Sequence, residues 1–445
     1  MRWTKTWGIA ALAAMGCDAN DAGEDTDGAS PAGTASTTGG DDGGGAVSTT
    51  AQGDDDDGGV TSTTDATTLG TSGTDESSGE GDGSSGSSVE AVPVFMAAGD
   101  VGRTTFSCDL GAAWTGNRSY DLEGDPLVCG EAAPVVCYDD ATGCQLLDGE
   151  ACEQQATNCD CDHHPGAVQG LAYGDGWWVA TWGWGPPGSV RRSQDGLNWE
   201  TVVEGTTFGG LAYGDGTFLL GARSPQVSTD GGATWVEGGP ADFQAANGTT
   251  IQNVRRVAYA PAQGGHFVVV ATSGDSRDIM LSSDAGASWW RPAQRPEACL
   301  DNTQGILSSQ DTMVLLGRNG EVCTSGDGGQ TWAVDTPLGG GGPGLWDGSA
   351  FRAWTGGNAY ESTDGITWTS QPMVPSLQLA ATAVDPQTGT FVSVRGGWQN
   401  WYDRQEFYRS DDGVTWTVLD AAAFEGSHRI RHVEFARTET GVCID

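Results

Sequence analysis

Lysine is almost missing from this chain. Lys5 is the single lysine in 445 residues, and Lys and Arg together number 20 against 60 Asp and Glu. Once an N-terminal leader is set aside no lysine remains, so Schiff-base chemistry through a lysine is excluded. A net charge of −40 disfavours nucleic acid and anionic membrane surfaces as general partners. It admits polyanionic glycans only where a local basic patch receives them. Long apolar runs are missing too. The run Trp7 to Met15, behind Arg2 and Lys5, is too short to span a membrane and has the form of an export signal. Residues 18–91 lack large apolar side chains almost entirely. They hold 17 acidic residues and no Lys or Arg, cannot bury enough surface to fold, and are expected to form a disordered tether of roughly 45 Å.

The rest of the chain carries a repeat. A variant of Ser-x-Asp-(x)-Gly-x-x-Trp begins at Ser107, Ser193, Ser228, Ser282, Ser325, Ser362 and Ser410. Successive starts lie 86, 35, 54, 43, 37 and 48 residues apart. Asp accepts backbone N–H groups, Gly supplies a backbone conformation that most residues avoid, and Trp buries its ring at the next strand. A unit of about 40 to 50 residues is what a four-stranded propeller blade requires.

These words resemble the Asp-box, or BNR repeat, of sialidases and other secreted propellers. The resemblance covers about 350 residues and implies an all-β, seven-bladed β-propeller in which the box is a structural turn. The leader ends Ala14-Met15-Gly16-Cys17, which resembles a bacterial lipobox. That implies a signal peptide at 1–16, a lipidated Cys17, a tether over 17–91 and a propeller over 92–445. It implies anchoring in the bacterial cell envelope, surface-exposed or periplasm-facing.

Ring closure is legible in the sequence. The N-terminal unit, Val94 to Trp114, lacks a first strand. Ile430-Arg431-His432-Val433-Glu434-Phe435 near the C-terminus matches Val254-Arg255-Arg256-Val257-Ala258-Tyr259 almost position for position. The last strand is therefore expected to complete blade 1, which leaves no open sheet edge. A disulfide between Cys108 and Cys443 is expected across that seam. Ten cysteines remain beside Cys17, and six of them (Cys129, Cys137, Cys144, Cys152, Cys159, Cys161) fall in an insertion at about 115–166. In an exported protein this reads as a disulfide framework.

Chemistry is expected on the face opposite the boxes, where by the family resemblance ligands bind. Three loops from neighbouring blades reach it. The insertion ends Cys159-Asp160-Cys161-Asp162-His163-His164, blade 2 contributes Trp182, Trp184 and Arg192, and blade 7 contributes Trp398, Trp401, Tyr402 and Arg404. His428 lies on the step from blade 7 to blade 1. Trp faces stack on sugar rings while Arg holds carboxylates or hydroxyls. His163 or His164 is a candidate base with Tyr402 as acid, and the same histidines are candidate copper or zinc ligands. No cofactor is firmly implied. The sialidase signature Arg-Ile-Pro is absent from the first blade, which reads Gly99-Asp100-Val101-Gly102-Arg103; Arg103, Arg277 and Arg404 are the arginines from which a carboxylate triad would be drawn.

The expected role is binding, with possible processing, of an extracellular glycan or glycoconjugate over blades 7, 1 and 2, by glycoside hydrolysis or polysaccharide lysis if the protein is an enzyme. A non-catalytic protein-interaction propeller and a copper- or zinc-dependent enzyme are the alternatives. The chain is expected to be a monomer with no nucleic-acid partner.

Overall fold

Each Ser-x-Asp word folds into the same hydrogen-bonded turn. In all seven, the serine Oγ donates to the aspartate Oδ1 at 2.8–3.0 Å. That same Oγ accepts a glycine N–H at 2.8–3.0 Å. Asp230 and Asp364 are held down to about 2, the first by Thr234 and the second by the backbone N–H groups of Thr367 and Ile366. In six turns the tryptophan Nε1 donates to a carbonyl of the same turn. Trp114, the seventh, stacks on Phe407 of blade 7 instead, with centroids 4.0 Å apart. The turn consumes the polar atoms of its own serine and aspartate, and in six copies that of its tryptophan. Its role is structural.

The computed structural model describes residues 91–445 except 100–103, 119–134, 140–142, 148–167, 184–187, 206–207, 240–243, 250, 252–253, 272–276, 396–405, 420–429, 440 and 445. The signal, the tether and Cys17 lie outside the described residues.

The strands form seven antiparallel sheets arranged as the blades of a propeller. Blade 2 shows the plan: Val168–Gly174 innermost, then Trp177–Trp182, Gly188–Ser193 and Glu200–Gly205. First-to-second and third-to-fourth connections emerge on one face, here the turn face. Second-to-third and blade-to-blade connections emerge on the other, the mouth face. The innermost strands of successive blades pack against one another in a closed cycle. Seven apolar clusters, led by residues such as Trp178, Phe267, Phe351 and Phe407, fill the spaces between blades.

Closure occurs as the repeat predicts. The last strand, Ile430–Thr438, pairs antiparallel with Val92–Gly99 and is the innermost strand of blade 1. Arg437 then reaches blade 7, where its Nη2 lies 3.2 and 3.1 Å from the two oxygens of the fully buried Asp385. Cys108 and Cys443 form a disulfide with Cα atoms 5.3 Å apart.

The Tyr-Gly-Asp-Gly words build a second inter-blade device. Asp175-Gly176 and Asp215-Gly216 all have positive φ, as the tight turn of a hairpin demands. The preceding glycines answer to packing. A Cβ on Gly174 would fall 2.2 Å from the Tyr213 ring, and one on Gly214 would fall 2.0 Å from that of Tyr259. Tyr213 also donates to Asp175 Oδ1 at 2.6 Å, tying blade 3 to blade 2.

Two sequence expectations need correction. Thr115–Arg118 is the fourth strand of blade 1, so the insertion begins after it; a hairpin of Val135–Asp139 and Gly143–Leu147 lies within. Blade 4 has three strands rather than four (Arg256–Ala260, His266–Ala271, Asp278–Ser282) plus an isolated Leu281–Trp290 bridge. Beyond Trp290 the chain reads Arg291-Pro292, and proline cannot donate to a ladder. The outer edge is finished by side chains instead. Asp278, whose side chain is fully buried, accepts the Ile279 and Ala246 N–H groups at 2.9 and 2.8 Å. It also pairs with Arg291 at 2.6 Å and Arg295 at 3.2 Å.

Candidate anion site at the channel mouth

The matching segments of blades 1 and 4 bring unusual residues to the mouth face. The innermost strand of blade 1 starts Ile430-Arg431-His432, and that of blade 4 starts at Arg256 behind Arg255. Because the two segments occupy the same rung of the repeat, their basic residues sit at the same height on nearly opposite sides of the ring. Arg256, Arg431 and His432 are 5%, 9% and 5% exposed. This burial stands out in a chain with three acids for every base.

Local packing explains how the blade 4 arginines are held. Gly210 N donates to Arg255 O and Val254 N to Ala222 O, both at 3.0 Å, fixing the entry to blade 4 against blade 3. A Cβ on Gly209 or Gly221 would fall 2.1 or 2.2 Å from Val254 O, so only glycine permits this approach. On the other side Arg256 Nε donates to Thr303 O at 2.7 Å, and Thr303 Oγ1 donates to Cys299 O at 2.6 Å. Cys299 is disulfide-bonded to Cys323 in the third strand of blade 5. The disulfide thereby fixes the segment that orients Arg256.

The charges that act on His432 are both positive. His432 is pushed down to about 3, by burial first and then by the charges of Arg431 and Arg256. It is neutral at physiological pH. One imidazole thus senses an arginine from each of two blades, and the positive potential there disfavours a third cation. Glu434, also buried, is the one acid in Val254–Ala260 and Ile430–Thr438. A neutral imidazole beside guanidinium groups suits a carboxylate or a sulfate, which raises the histidine's proton affinity as it binds.

The expected site residues divide into two groups. His163, His164, Trp184, Trp398, Trp401, Tyr402, Arg404, His428 and Arg103 lie outside the described residues. Trp182 and Arg192 are described, and neither faces an open site. Trp182 is 0% exposed; its Nε1 donates to Gly99 O at 2.9 Å, and Arg191 lies over its ring at 5.2 Å. It locks blade 2 to blade 1 and offers no ring face to a sugar. Arg192 stands 3.9 Å over Trp177, pairs with Glu200 at 2.6 Å and donates to Asp230 O and Gly231 O of the next turn. That puts it toward the turn face. Arg277 pairs with Asp301 at 2.8 Å. Among the described residues no group of three or more His, Cys, Asp or Glu is placed to hold a metal ion.

Sequence reasoning passed over Arg255, Arg256, Arg431 and His432. The signal was present in the same aligned segments that gave the ring closure, since both carry two basic residues at the same rung.

No family model matches the chain, and no curated protein does. Among solved structures, YCF48 bound to D1 peptide is 16% identical over 59% of this chain and 84% of its own, with a TM-score of 0.41. A protein from Lactobacillus plantarum is 11% identical over 78% and 100%, with a TM-score of 0.46. A GH74 xyloglucanase from Xanthomonas campestris is 17% identical over 75% of this chain and 44% of its own, with a TM-score of 0.38. These values are low, and the propeller assignment rests on the strand pairing described above.

Proposed function

We propose that this protein is a binding propeller of the Asp-box class that receives an acidic glycan terminus at the mouth of its central channel. The observation that carries the reading is the buried arginine pair Arg256 and Arg431 acting on one neutral histidine, His432. A net charge of −40 repels polyanions as a whole. The ligand is therefore a chain end or short oligosaccharide bearing one carboxylate or sulfate, which presents its charge to the local basic patch and keeps the rest of the glycan neutral. The loops with Trp398, Trp401, Tyr402, Arg404 and His163-His164 belong to the same reading as walls that contact the sugar. Lipidated Cys17 and the acidic tether hold the propeller at the cell envelope.

The test is a panel of matched acidic and neutral oligosaccharides applied to the purified folded domain. Retention of singly acidic glycans over their neutral counterparts supports the reading. Equal retention of both, or of neither, refutes it.

A further inference from the structure

Arg223 is the exception among the arginines whose side chains are described. Eight others form ion pairs with Asp or Glu. Arg191 lies over the Trp182 ring, Arg256 donates to Thr303 O, and Arg255, Arg318 and Arg431 are also engaged. Arg223 has neither an ion pair nor a hydrogen bond among the described residues. In a chain with 60 acids for 20 bases, an arginine left without an acid is unusual. Its charge contributes no ion-pair stability, and a net charge of −40 already supplies solubility.

The turn that carries Arg223 is firmly seated and lies on the mouth face. It joins the second strand of blade 3, Thr217–Leu220, to the third, Gln226–Ser228. Gly221 N donates to Gly210 O at 2.7 Å, and Gly209 N donates to Gly221 O at 2.6 Å. At the other end Gly238 N donates to Pro225 O at 2.8 Å. Between these anchors Ala222 and Pro225 are buried, and Arg223 is the one exposed residue from Gly221 to Gln226. Ala222 O accepts Val254 N at 3.0 Å, so Arg223 and Arg255 each follow one end of the same hydrogen bond. The exposed guanidinium is thereby fixed beside the entry to blade 4, which leads through Arg255 to the buried Arg256.

We propose that Arg223 is the capture residue of the channel mouth, drawing an acidic ligand terminus to the rim before it reaches Arg256, Arg431 and His432. This role rests on the anion site proposed above. An anion that approaches the site must cross a surface of its own sign. A guanidinium without a carboxylate partner keeps its full charge for the solvent, and a charge at a rim acts on association more than on the bound state. Arg223 meets both conditions, because it is exposed, unpaired and held on a short anchored turn.

The probes are cellobiouronic acid and cellobiose 6′-sulfate, one carboxylate and one sulfate, with cellobiose as the neutral control. Association and dissociation rates are read from ligand NMR line shapes with the full chain. At low ionic strength Arg223→Gln should slow association of the acidic probes about twofold and Arg223→Glu about fourfold, the scale of one and two unit charges acting through water. Dissociation should be unchanged. Arg223→Lys should keep the wild-type rate, since only charge is required. The differences should vanish near 1 M salt, where screening acts within about 3 Å, and the control should respond to none of the variants. Arg223 makes no bond in the fold, so an unchanged unfolding temperature verifies that each variant is folded. Wild-type association by Arg223→Glu, an effect that persists at high salt, or one that falls on dissociation alone overturns the capture role and leaves the anion site standing. Failure of the wild-type protein to bind either acidic probe overturns the anion site and the capture role together.

Discussion

Cys108 and Cys443 are 335 residues apart in sequence and 5.3 Å apart between Cα atoms, joined by a disulfide at the seam where the ring closes. The tail that carries Cys443 continues the seam onto blade 2, where Val442 N donates to Asp195 O at 3.0 Å. Closure thus rests on a strand pairing, an ion pair between Arg437 and Asp385, and a covalent clasp.

Breaking the clasp should loosen blade 1 before any other. Cys443→Ser with Cys108→Ser is expected to cost about 2–5 kcal/mol of stability, as loss of a long-loop disulfide does. Hydrogen exchange should accelerate first in Ile430–Thr438. Uniform acceleration over all seven blades would show that the clasp has no local role.

Two glycines two residues apart should respond differently. Gly214→Ala drives a methyl into the Tyr259 ring and is expected to cost about 1–3 kcal/mol or more through overpacking. Gly216 has φ +71, and a methyl group there would have nothing within 4 Å. Gly216→Ala therefore costs only backbone strain, about 1 kcal/mol. Gly216→Asn should recover most of that loss because Asn tolerates the left-handed region. Thermal unfolding of the three variants checks the order.

Asp278 substitutes for the missing outer strand of blade 4. Asp278→Ala removes the partner of Arg291 and of the Ile279 and Ala246 N–H groups, while Arg295 keeps Glu297, and is expected to cost about 1–3 kcal/mol. Chemical denaturation measures it. A loss under about 1 kcal/mol, the scale of an exposed ion pair, would mean that the hub does not hold that edge.

Stability should also depend on His432. Its folded value of about 3 lies below the ordinary 6.5, so between those values the unfolded chain binds the proton that the folded chain refuses. The histidine's contribution is complete above pH 6.5 and is lost as pH falls toward 3. His432→Gln should flatten that part of the stability profile. The turn aspartates, whose values are lowered from 3.8, act at lower pH and should leave their own slope intact.

The fold was legible because the repeat is chemical as well as spatial. Ser, Asp, Gly and Trp each have one role in the turn, so their spacing specified the blades, and the match between Ile430–Phe435 and Val254–Tyr259 specified closure. The three-strand blade was less legible, since its edge depends on Asp278 meeting Arg291, Arg295 and a backbone N–H 32 residues earlier. Site prediction favoured conspicuous aromatics. Trp182 resembles a sugar platform in a Trp-Gly-Trp loop, yet it sits at a strand end where the ring fills the space between blades. The arginines at the mouth were harder to see because each looks like an ordinary surface residue until the ring brings blade 1 and blade 4 to one channel.

The most direct test of the central claim is an NMR titration of the His432 imidazole with and without a singly acidic oligosaccharide. The histidine is expected to stay neutral down to about pH 3 in the free protein. Its pKa should rise measurably when the acidic ligand is bound and stay unchanged with the matched neutral sugar. An acidic ligand that binds without moving His432, or a neutral sugar that moves it equally, would contradict an anion site at the channel mouth.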